Sequence, residues 1–437
     1  VYITYKKRAA IMDFFQYQNG ELYAEQVPVA DIIQQYGSPV YIYSKATLER
    51  HWHAFDKAFE NRPHLICYAV KANSNIGVLQ VLAQLGSGFD VVSIGEIKRA
   101  LKAGAEPSKI VFSGLGKQEH EIEEALKLGI GCFNVESAPE LKRIEIIANA
   151  LEIKAPISIR VNPNVNANTH PYISTGLKEN KFGVDEATAM TLYHQANRSN
   201  WLNPIGIDCH IGSQLTELDP FIESLDILLR MITTLRQDGI SLRHLDLGGG
   251  LGVPYQDETP PHPKEFALAV AQRLDEFSGP ELTIILEPGR AIAANAGILA
   301  TTVEFLKPTV DRNFIVVDAA MNDLIRPSLY QAWQNIIPVK EAPPQNQSLQ
   351  SQSWDIVGPV CESGDYLGKD RKLSVQAGDY LAVRSAGAYG FCMSSNYNSR
   401  NRVAEVLVDQ DQTHLVRRRE TLDDQMSLES LITKRSP

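Results

Sequence analysis

A lysine at the end of an apolar run is the residue in this chain whose type and position first suggest chemistry. In the segment Leu65-Ile-Cys-Tyr-Ala-Val-Lys71 the amine follows six largely apolar residues. A buried strand would partly desolvate this amine and favour its neutral, nucleophilic form. Such an amine forms a Schiff base with a carbonyl compound. A lysine that simply reaches solvent from a strand end fits the same segment, so Lys71 alone does not decide the chemistry.

Two glycine-containing segments have the composition of an anion-binding loop. They are Gly248-Gly-Gly-Leu-Gly252 and Glu287-Pro-Gly-Arg290. Glycines allow backbone N–H groups to approach a phosphate, although a pair of tight turns needs glycine as well. A Schiff-base lysine and a phosphate site together suit a phosphorylated carbonyl compound, with pyridoxal 5'-phosphate (PLP) as the obvious candidate. Glu287 would then keep the ring nitrogen protonated. His210 would stack on the ring, although a strand-end histidine is more often structural.

These residues end short apolar runs in a region where strands and helices alternate. Between about residues 64 and 290, eight β-branched runs are separated by stretches of helical periodicity, the pattern of βα units and a parallel sheet. Eight units in about 225 residues predict a (β/α)8 TIM barrel, whose reactive groups lie at the carboxyl ends of the strands. The predicted strands are His64–Ala72, Phe89–Ser93, Ile110–Gly114, Phe133–Ser137, Ile157–Asn162, Ile205–Gly212, His244–Gly249 and Thr283–Pro288.

After residue 295 the chain changes to strands separated by turns, which predicts a C-terminal antiparallel β-barrel or sandwich domain. The seven predicted strands begin with Thr301–Leu306 and end with Thr413–Arg418, and the fourth is Lys372–Val375. The expected organisation is an N-terminal segment, 1–36, packed with the β-domain, a barrel over 37–295 and the β-domain over 296–437. Residues 1–11 precede Met12 and are interpreted as an extension. The Pro-, Gln- and Ser-rich stretches 259–263 and 341–353 are predicted surface loops.

Composition excludes several functional classes. The net charge of −10 over 437 residues gives no global attraction to nucleic acid or to an anionic membrane. No run approaches the ~18 apolar residues of a membrane-spanning helix. The five cysteines lack CxxC spacing, which opposes a disulfide framework and a zinc or other metal site. We therefore expect a cytoplasmic protein that acts on a small molecule.

Five motifs occur in series along the chain from Met12 to about Leu422. Together they resemble the fold-type III, PLP-dependent amino acid decarboxylases. The resemblance implies PLP as cofactor, an alanine racemase-like barrel with a C-terminal β-domain, and a homodimer with shared active sites. The motifs are Tyr68-Ala-Val-Lys-Ala-Asn73, His210-Ile-Gly-Ser-Gln214, Gly248-Gly-Gly250, Glu287-Pro-Gly-Arg290 and Gly358-Pro-Val-Cys-Glu-Ser-Gly-Asp365.

The resemblance also assigns roles to individual residues. It implies that Lys71 carries the cofactor, that His210 stacks on the ring and that Glu287 faces the ring nitrogen. Cys361 resembles the family's proton donor, which the other subunit supplies; a small buried core residue is the plainer interpretation. The residues expected around the phosphate are Ser213, Gly249, Gly250, Gly289, Arg290 and Tyr389.

Within this family, charge at the distal end of the substrate separates the activities. The segment Arg326-Pro-Ser-Leu-Tyr330 resembles that of members acting on meso-2,6-diaminopimelate, which carries a distal carboxylate and ammonium. A carboxylate calls for charge-assisted hydrogen bonds from arginine. The expected reaction is decarboxylation to L-lysine and CO2, the last step of lysine biosynthesis. The residues expected to bind the substrate are Arg290, Arg326, Tyr330 and Tyr389, with Glu362 for the distal ammonium.

Four alternatives stay open from the sequence. One is a decarboxylase for another diamino or carboxylated polyamine substrate. A racemase is less favoured, because racemases of this fold place arginine at the ring nitrogen. A catalytically silent regulatory homologue is opposed by Lys71, Glu287 and Cys361. Without the resemblance, a Schiff-base aldolase for a phosphorylated sugar is the remaining interpretation. Ile94 departs from the family pattern near the cofactor, where relatives often have glycine.

Overall fold

The computed structural model describes residues 13–166, 180–341 and 352–432. The chain divides into two compact units: Thr47–Ala294 is the barrel unit, and Val1–Ala46 with Asn295–Pro437 is the β-domain unit. The predicted extension 1–11 and most of the 341–353 stretch lie outside the described residues.

The N-terminal elements belong to the β-domain unit. Phe15 and Leu22 share one buried apolar cluster with Ile298 and Val406 from the C-terminal part of the chain. The elements are the antiparallel strands β1 (Phe15–Gln18), β2 (Glu21–Ala24) and β3 (Val27–Pro28), helix α1 (Val29–Tyr36) and strand β4 (Val40–Ser44).

The predicted start of the barrel at residue 37 is corrected by β4. All five residues of this strand are buried, and Val40 and Ile42 belong to the apolar cluster of the β-domain unit. A short, wholly apolar strand fits a barrel and a sheet core equally well, so its periodicity does not tell the two apart. The barrel unit therefore begins after this strand, at Thr47.

The barrel unit is a closed barrel of eight parallel strands, which confirms the predicted TIM barrel. Its strands follow the order β10-β11-β12-β5-β6-β7-β8-β9, and β10 pairs back with β9 to close the ring. Each observed strand ends before its predicted carboxyl end, because the last residues turn toward the next helix. The strands are β5 (His64–Ala69), β6 (Gly88–Val91), β7 (Ile110–Phe112), β8 (Cys132–Val135), β9 (Ala155–Arg160), β10 (Leu202–Asp208), β11 (His244–Asp246) and β12 (Thr283–Leu286).

Helix caps fix several of the turns that follow the barrel strands. The side chains of Asn75, Ser93 and Ser137 each accept a backbone N–H at the start of a helix, as helix N-caps do. No helix in the described ranges is both long and apolar enough to cross a membrane. The helices around the barrel are α2 (Lys45–Asp56), α3 (Ile76–Gln84), α4 (Ile94–Lys102), α5 (Glu119–Leu128), α6 (Ala138–Leu151), α7 (Glu186–Arg198), α8 (Asp219–Gln237), α9 (Pro263–Glu276) and α10 (Arg290–Ala293).

The rest of the β-domain unit is a nine-stranded sheet that includes β4. The sheet is mixed rather than wholly antiparallel, since β4 receives a parallel partner on one side. The C-terminal elements are β13 (Gly297–Pro308), β14 (Asn313–Val317), α11 (Arg326–Tyr330), β15 (Ile336–Pro338), β16 (Ser353–Val357), β17 (Tyr366–Lys372), β18 (Tyr380–Val383), β19 (Ala404–Asp409), β20 (Gln412–Arg417) and α12 (Leu422–Met426).

Pairing in this sheet explains where the prediction differs. The pairs β4–β19 and β14–β16 are parallel, whereas the other pairs are antiparallel. The strand predicted at Lys372–Val375 lies earlier, as β17, because its pairing with β16 runs from Tyr366 to Lys372.

Candidate active site

Lys71 follows β5, and its amine is held by a carboxylate on the neighbouring strand. Its Nζ lies 2.6 Å from Oδ2 of Asp90 on β6. The Asp90 side chain is fully buried, whereas 35% of the Lys71 side chain is exposed. The ion pair therefore has its carboxylate in the barrel interior and its lysine side chain partly accessible to solvent. Sequence reasoning missed Asp90, although an acidic residue inside the apolar strand Gly88–Val91 was an available signal.

Three further carboxyl groups meet inside the barrel. Asp208 ends β10, Asp246 ends β11 and Glu287 follows β12, and one oxygen of each lies within 4.8 Å of the other two. Burial, together with the charge of Asp246, raises the pKa of Glu287 well above its ordinary value. Among the described residues, the buried Oε1 of Glu287 has no hydrogen-bond partner. An acceptor of this kind suits a protonated ring nitrogen.

Arg160 brings a positive charge to the same interior. Its Nη1 lies 2.7 Å from Oε1 of Glu136, and its Nε lies 3.9 Å from Oδ2 of Asp208. Glu136 in turn accepts the backbone N–H groups of Gly114 and Gly183, at 3.2 and 2.7 Å. This pair ties together several of the loops that follow the strands.

His210 is held in a defined orientation by a backbone group. The N–H of Gly249 donates to Nδ1 of His210 over 3.1 Å. Burial, followed by the positive charges of Arg160 and Lys71, lowers the pKa of His210 well below its ordinary value. A neutral imidazole with an accepting Nδ1 carries its proton on Nε2. The ring is therefore an uncharged flat surface, as stacking on a cofactor requires.

Arg290, Ser213 and Tyr255 form a polar group beyond the strand ends. Nε and Nη2 of Arg290 donate to the hydroxyl of Ser213 at 3.2 and 3.1 Å, and Nη1 donates to the hydroxyl of Tyr255 at 2.7 Å. Arg290 is 8% exposed. Its charge and the two hydroxyls suit an anionic ligand such as a phosphate. Tyr255 was missed, because a lone tyrosine in a loop gives no sequence signal.

Beside this group, three glycines lie so close to neighbouring atoms that there is no space for a side chain at their positions. A Cβ on Gly249 would lie 2.2 Å from the carbonyl oxygen of Glu287. A Cβ on Gly250, which has a φ of +110°, would lie 2.4 Å from the carbonyl oxygen of Gly212. At Gly289 the same atom would lie 3.0 Å from the Cβ of Ala69, close to Lys71. The loops after β10, β11 and β12 thus approach one another through backbone.

These features of the barrel unit fit PLP. Lys71 supplies an amine for the aldehyde, and the unpartnered oxygen of Glu287 suits the ring nitrogen. Arg290 and Ser213, with the glycine backbone, suit the phosphate. The predicted residues that the structure brings together in this unit are Lys71, His210, Ser213, Gly249, Gly250, Glu287, Gly289 and Arg290.

In the β-domain unit, helix α11 lies beside the loop that carries Cys361. The carboxylate of Asp365 accepts the backbone N–H groups of Met321 and Val360 at 2.6 and 2.8 Å. The hydroxyl of Ser328 donates to the carbonyl of Gly364 at 2.6 Å. Arg326, the first residue of α11, is only 7% exposed. The structure therefore brings α11, which carries Arg326 and Tyr330, next to the loop with Cys361 and Glu362.

Cys361 and Glu362 are exposed on the described chain. The N–H of Cys361 donates to Oδ1 of Asn398 at 2.8 Å, and Oε1 of Glu362 accepts the hydroxyl of Tyr397 at 3.0 Å. Cys361 is therefore not the buried core residue of the plainer interpretation. Asn398 and Tyr397 were missed, since neither belongs to a recognisable motif.

Tyr389 lies in a tight segment of the same unit. Its φ of 55° is in the left-handed region, which non-glycine residues rarely adopt. A Cβ on the following Gly390 would lie 2.4 Å from the carbonyl oxygen of Ala386 and 2.7 Å from the hydroxyl of Tyr41. The close approach to β4 fixes the backbone from which the Tyr389 side chain extends.

Comparison with known proteins identifies close relatives of this chain. The family model of the pyridoxal-dependent decarboxylase, pyridoxal binding domain, matches residues 45–294. The diaminopimelate decarboxylase of Vibrio cholerae serotype O1 is 61% identical over 422 residues, which is 96% of this chain and 100% of that protein. The diaminopimelate decarboxylase of Haemophilus influenzae is 58% identical over 421 residues, with the same coverage of both chains.

Solved structures with the same fold include two that hold L-lysine. Diaminopimelate decarboxylase from Helicobacter pylori, complexed with L-lysine, has a TM-score of 0.87 and 46% identity, covering 92% of this chain and 98% of that chain. The enzyme from M. jannaschii, in co-complex with L-lysine, has a TM-score of 0.90 and 36% identity, covering 96% and 98%. The similarity extends through both units.

Proposed function

Because the chain belongs to the pyridoxal-dependent decarboxylases, and among them to the diaminopimelate decarboxylases, we propose that it removes CO2 from the D-centre of meso-2,6-diaminopimelate. The products are L-lysine and CO2, and the reaction is the last step of lysine biosynthesis. One observation carries the cofactor chemistry: the amine of Lys71, the unpartnered oxygen of Glu287 and the Arg290–Ser213 group lie in one barrel.

The cofactor residues divide the work of binding and activation. PLP, when bound, withdraws electrons from Cα and so stabilises the negative charge left after CO2 departs. Lys71 would hold its aldehyde carbon, while Ser213, Gly249, Gly250, Gly289, Arg290 and Tyr389 would hold its phosphate. Neutral His210 would cover one face of the ring. Glu287 would keep a proton on the ring nitrogen, since a carboxylate in a dry interior favours a positive partner.

Recognition of the substrate falls mainly to the β-domain unit. Diaminopimelate has a distal carboxylate that ornithine and lysine lack. Arg326 offers a buried guanidinium, and the phenol of Tyr330 lies on the same helix, so both would bind that carboxylate together with Arg290. Glu362 offers a carboxylate for the distal ammonium. Tyr389 would contact both substrate and phosphate.

Cys361 is proposed as the group that returns a proton to Cα. Its position on an exposed loop leaves the S–H bond available to a ligand from outside its own unit. The proton would pass from Sγ to Cα, and the resulting thiolate would then regain a proton from solvent.

The chain is proposed to form a homodimer with shared active sites. Cys361 and Glu362 are exposed in a single chain, as residues that complete a partner's site must be before assembly. A cytoplasmic location is also proposed, because all five cysteines are free thiols and a reducing compartment keeps them so.

Release of CO2 by the purified, PLP-saturated protein tests this function. Meso-diaminopimelate, ornithine, arginine and lysine are supplied in parallel, and the amine product is identified. We expect release from diaminopimelate alone, with L-lysine formed. Release from another of the four would move the assignment to a sibling decarboxylase and refute the roles of Arg326 and Glu362. No release from any of them, with the cofactor bound, would favour the racemase, a decarboxylase for a substrate outside these four, or the silent regulator.

A further inference from the structure

The interior of the barrel holds more buried negative than positive charge. Apart from the charges on the outer helices and Lys117, whose Nζ pairs with Glu140 of α6 at 2.7 Å, five carboxyl groups and two cations face one another across strands β5, β6, β8, β9, β10, β11 and β12. The carboxyl groups are Asp90, Glu136, Asp208, Asp246 and Glu287, and the cations are the buried Arg160 and the partly exposed Lys71.

Two of the five carboxylates have a close cation of their own. Asp90 pairs with Lys71 at 2.6 Å, and Glu136 pairs with Arg160 at 2.7 Å. Asp208 has only a longer approach, 3.9 Å, to Nε of the same Arg160. The cluster Asp208, Asp246 and Glu287 therefore keeps most of the surplus charge.

Within this cluster of three carboxyl groups, Asp246 is distinguished by a hydrogen bond from the backbone. Its Oδ1 accepts the backbone N–H of Gly248 at 2.9 Å, a bond that favours the ionised form. Its Oδ2, Oδ1 of Asp208 and Oε1 of Glu287 are buried and have no hydrogen-bond partner in the described part of the chain. These three oxygens belong to side chains that are 0%, 2% and 5% exposed.

Carboxyl groups this close in a dry interior cannot all be ionised at once. Burial and the charge of Asp246 raise the pKa of Asp208 well above its ordinary value. Burial, with the charge of Asp90, raises the pKa of Asp246 only to about 6, because the N–H of Gly248 opposes the effect first and the neighbouring Glu287 and Asn134 side chains oppose it further. The hydrogen bond from Gly248, which Asp208 lacks, therefore favours the charge on Asp246 and the proton on Asp208.

We propose that Asp246 is a positioning residue that acts through Glu287: with Asp208 protonated, the buried charge of Asp246 holds the proton on the ring nitrogen of the bound cofactor. This inference rests on the proposed function, since it takes Glu287 as the partner of that nitrogen. A negative charge behind Glu287 stabilises the positive ring nitrogen and so strengthens the cofactor's withdrawal of electrons from Cα.

The test uses the holoenzyme loaded with PLP that carries a nitrogen isotope label in its ring. The ring-nitrogen NMR signal is followed against pH in the wild type and in Asp246→Asn, Asp208→Asn and Glu287→Gln, beside kcat and KM. Asp246→Asn is expected to lower the basicity of the ring nitrogen ~10-fold, one pKa unit, and to lower kcat with little change in KM. Asp208→Asn is expected to leave the signal near wild type, because an amide has the charge and nearly the shape of a protonated acid.

The variants separate the possible failures. A signal that changes in Glu287→Gln but not in Asp246→Asn would overturn this inference and leave the proposed function standing. A signal that changes in neither would instead refute Glu287 as the partner of the ring nitrogen and overturn this inference with it, whereas the proposed function would fall only if diaminopimelate released no CO2. An equal change in Asp208→Asn and Asp246→Asn would overturn the division of charge and proton.

A second measurement covers the case in which Asp246→Asn does not fold. Infrared difference spectra between wild type and Asp208→Asn at neutral pH report a buried, protonated carboxyl group by its C=O stretch. We expect such a band in the wild type and its loss in Asp208→Asn. Its absence from the wild type would overturn the proposal.

Discussion

The barrel unit and the β-domain unit both carry proposed site residues, but they hold them differently. In the barrel, the groups extend from the ends of parallel strands and are linked to one another, as in Lys71–Asp90 and Arg290–Ser213. In the β-domain unit, α11 and the loop at Cys361 meet through short contacts such as Ser328–Gly364. Two of the functional side chains there, Cys361 and Glu362, are exposed, whereas Arg326 is buried.

This difference matches two kinds of task. A cofactor has a fixed shape, so buried and mutually bonded side chains on strands can be arranged for it in advance. A substrate must enter and leave, and its recognition suits residues on loops and at a helix end. The barrel would therefore supply the cofactor chemistry, and the β-domain unit would supply most of the substrate recognition together with the proton that Cys361 returns.

Replacing Lys71 is expected to have the largest effect. Both Lys71→Ala and Lys71→Arg should lower kcat by at least ~10³-fold, because neither variant can hold the cofactor's aldehyde carbon. Arg at this position still faces Asp90, so Lys71→Arg should retain more thermal stability than Lys71→Ala. The measurements are kcat for CO2 release and the thermal midpoint. Comparable activity in Lys71→Arg and wild type would refute covalent attachment of the cofactor to Lys71. The barrel would then lose its proposed part in the chemistry.

Replacing Arg326 is expected to alter substrate choice rather than chemistry. Charge-assisted hydrogen bonds contribute roughly 1.5–3 kcal/mol, so Arg326→Gln should lower kcat/KM for diaminopimelate about 10- to 100-fold. PLP absorbance should stay unchanged, since Arg326 is not among the residues proposed to hold the cofactor. The measurements are kcat/KM with diaminopimelate and the absorbance spectrum of the bound cofactor.

Arg371→Gln serves as the matched control for this prediction. Arg371 belongs to the same unit, stacks on Trp333 with 4.5 Å to the ring centre, and donates to the carbonyl of Gln334 at 3.2 Å. It is not a proposed site residue, so its replacement should leave kcat/KM near wild type. An equal loss in both variants would mean that Arg326 acts on the stability of the unit and not on the substrate.

Mixing two inactive variants tests whether one active site combines the barrel unit of one chain with the β-domain unit of the other chain. Lys71→Ala and Cys361→Ala subunits, each inactive alone, should regain about one quarter of wild-type activity on mixing at equal amounts. Half of the dimers would then be mixed, and each would contain one intact site of two. Activity is measured after the subunits exchange, with each variant alone as control. No recovery after proven exchange would contradict a proton donor from the partner.

The fold was largely predictable because periodicity reports which faces are buried. Eight apolar runs separated by helical stretches indicate a (β/α)8 barrel almost by arithmetic, and all eight occur. Strand β4 was assigned to the wrong unit, since a short apolar run does not reveal which sheet it joins. The mixed pairing of the β-domain sheet depends on which strands meet across long stretches of chain, which local pattern does not encode.

Candidate site residues that belong to sequence motifs were predictable. Those that are recognised only by their buried position in the folded barrel were not. Lys71, His210 and Glu287 belong to motifs that occur in series. Asp90 and Asp246 belong to none of those motifs, and their positions beside Lys71 and Glu287 become visible only in the folded barrel. Acidic residues within predicted barrel strands were therefore the signal that sequence reasoning did not use.

The smallest expected effect concerns the other end of the barrel strands. His244 begins β11, is 8% exposed, and has a buried Nε2 without a partner in the described ranges. A Cβ on Gly206 would lie 1.8 Å from this Nε2, so the ring packs directly on the β10 backbone. Burial, aided by the charge of Arg243, lowers the pKa of His244 to about 4. This end of the barrel contributes to stability rather than to chemistry.

A lowered histidine pKa makes the barrel less stable in acid. Between about pH 6.5 and 4 the unfolded chain binds a proton at this residue and the folded chain does not, so the free energy of unfolding falls as the pH falls. His244 should account for a loss of up to ~3 kcal/mol over this range, at ~1.4 kcal/mol per pH unit. The stability it contributes is fully present above the unfolded-state pKa.

His244→Gln isolates this loss from the other titrating groups. Raised carboxyl pKa values at Asp208 and Glu287 act in the opposite direction on acidification, so only the difference between variant and wild type is informative. Denaturant midpoints from pH 7 to pH 4 should converge as the pH falls, while the solvent-exposed His120→Gln should parallel the wild type. Parallel curves for His244→Gln would mean that the barrel admits the proton at this end. Tight burial in the barrel would then be limited to the strand ends that hold the cofactor. Only at those ends would the barrel unit differ from the β-domain unit in how it holds its side chains.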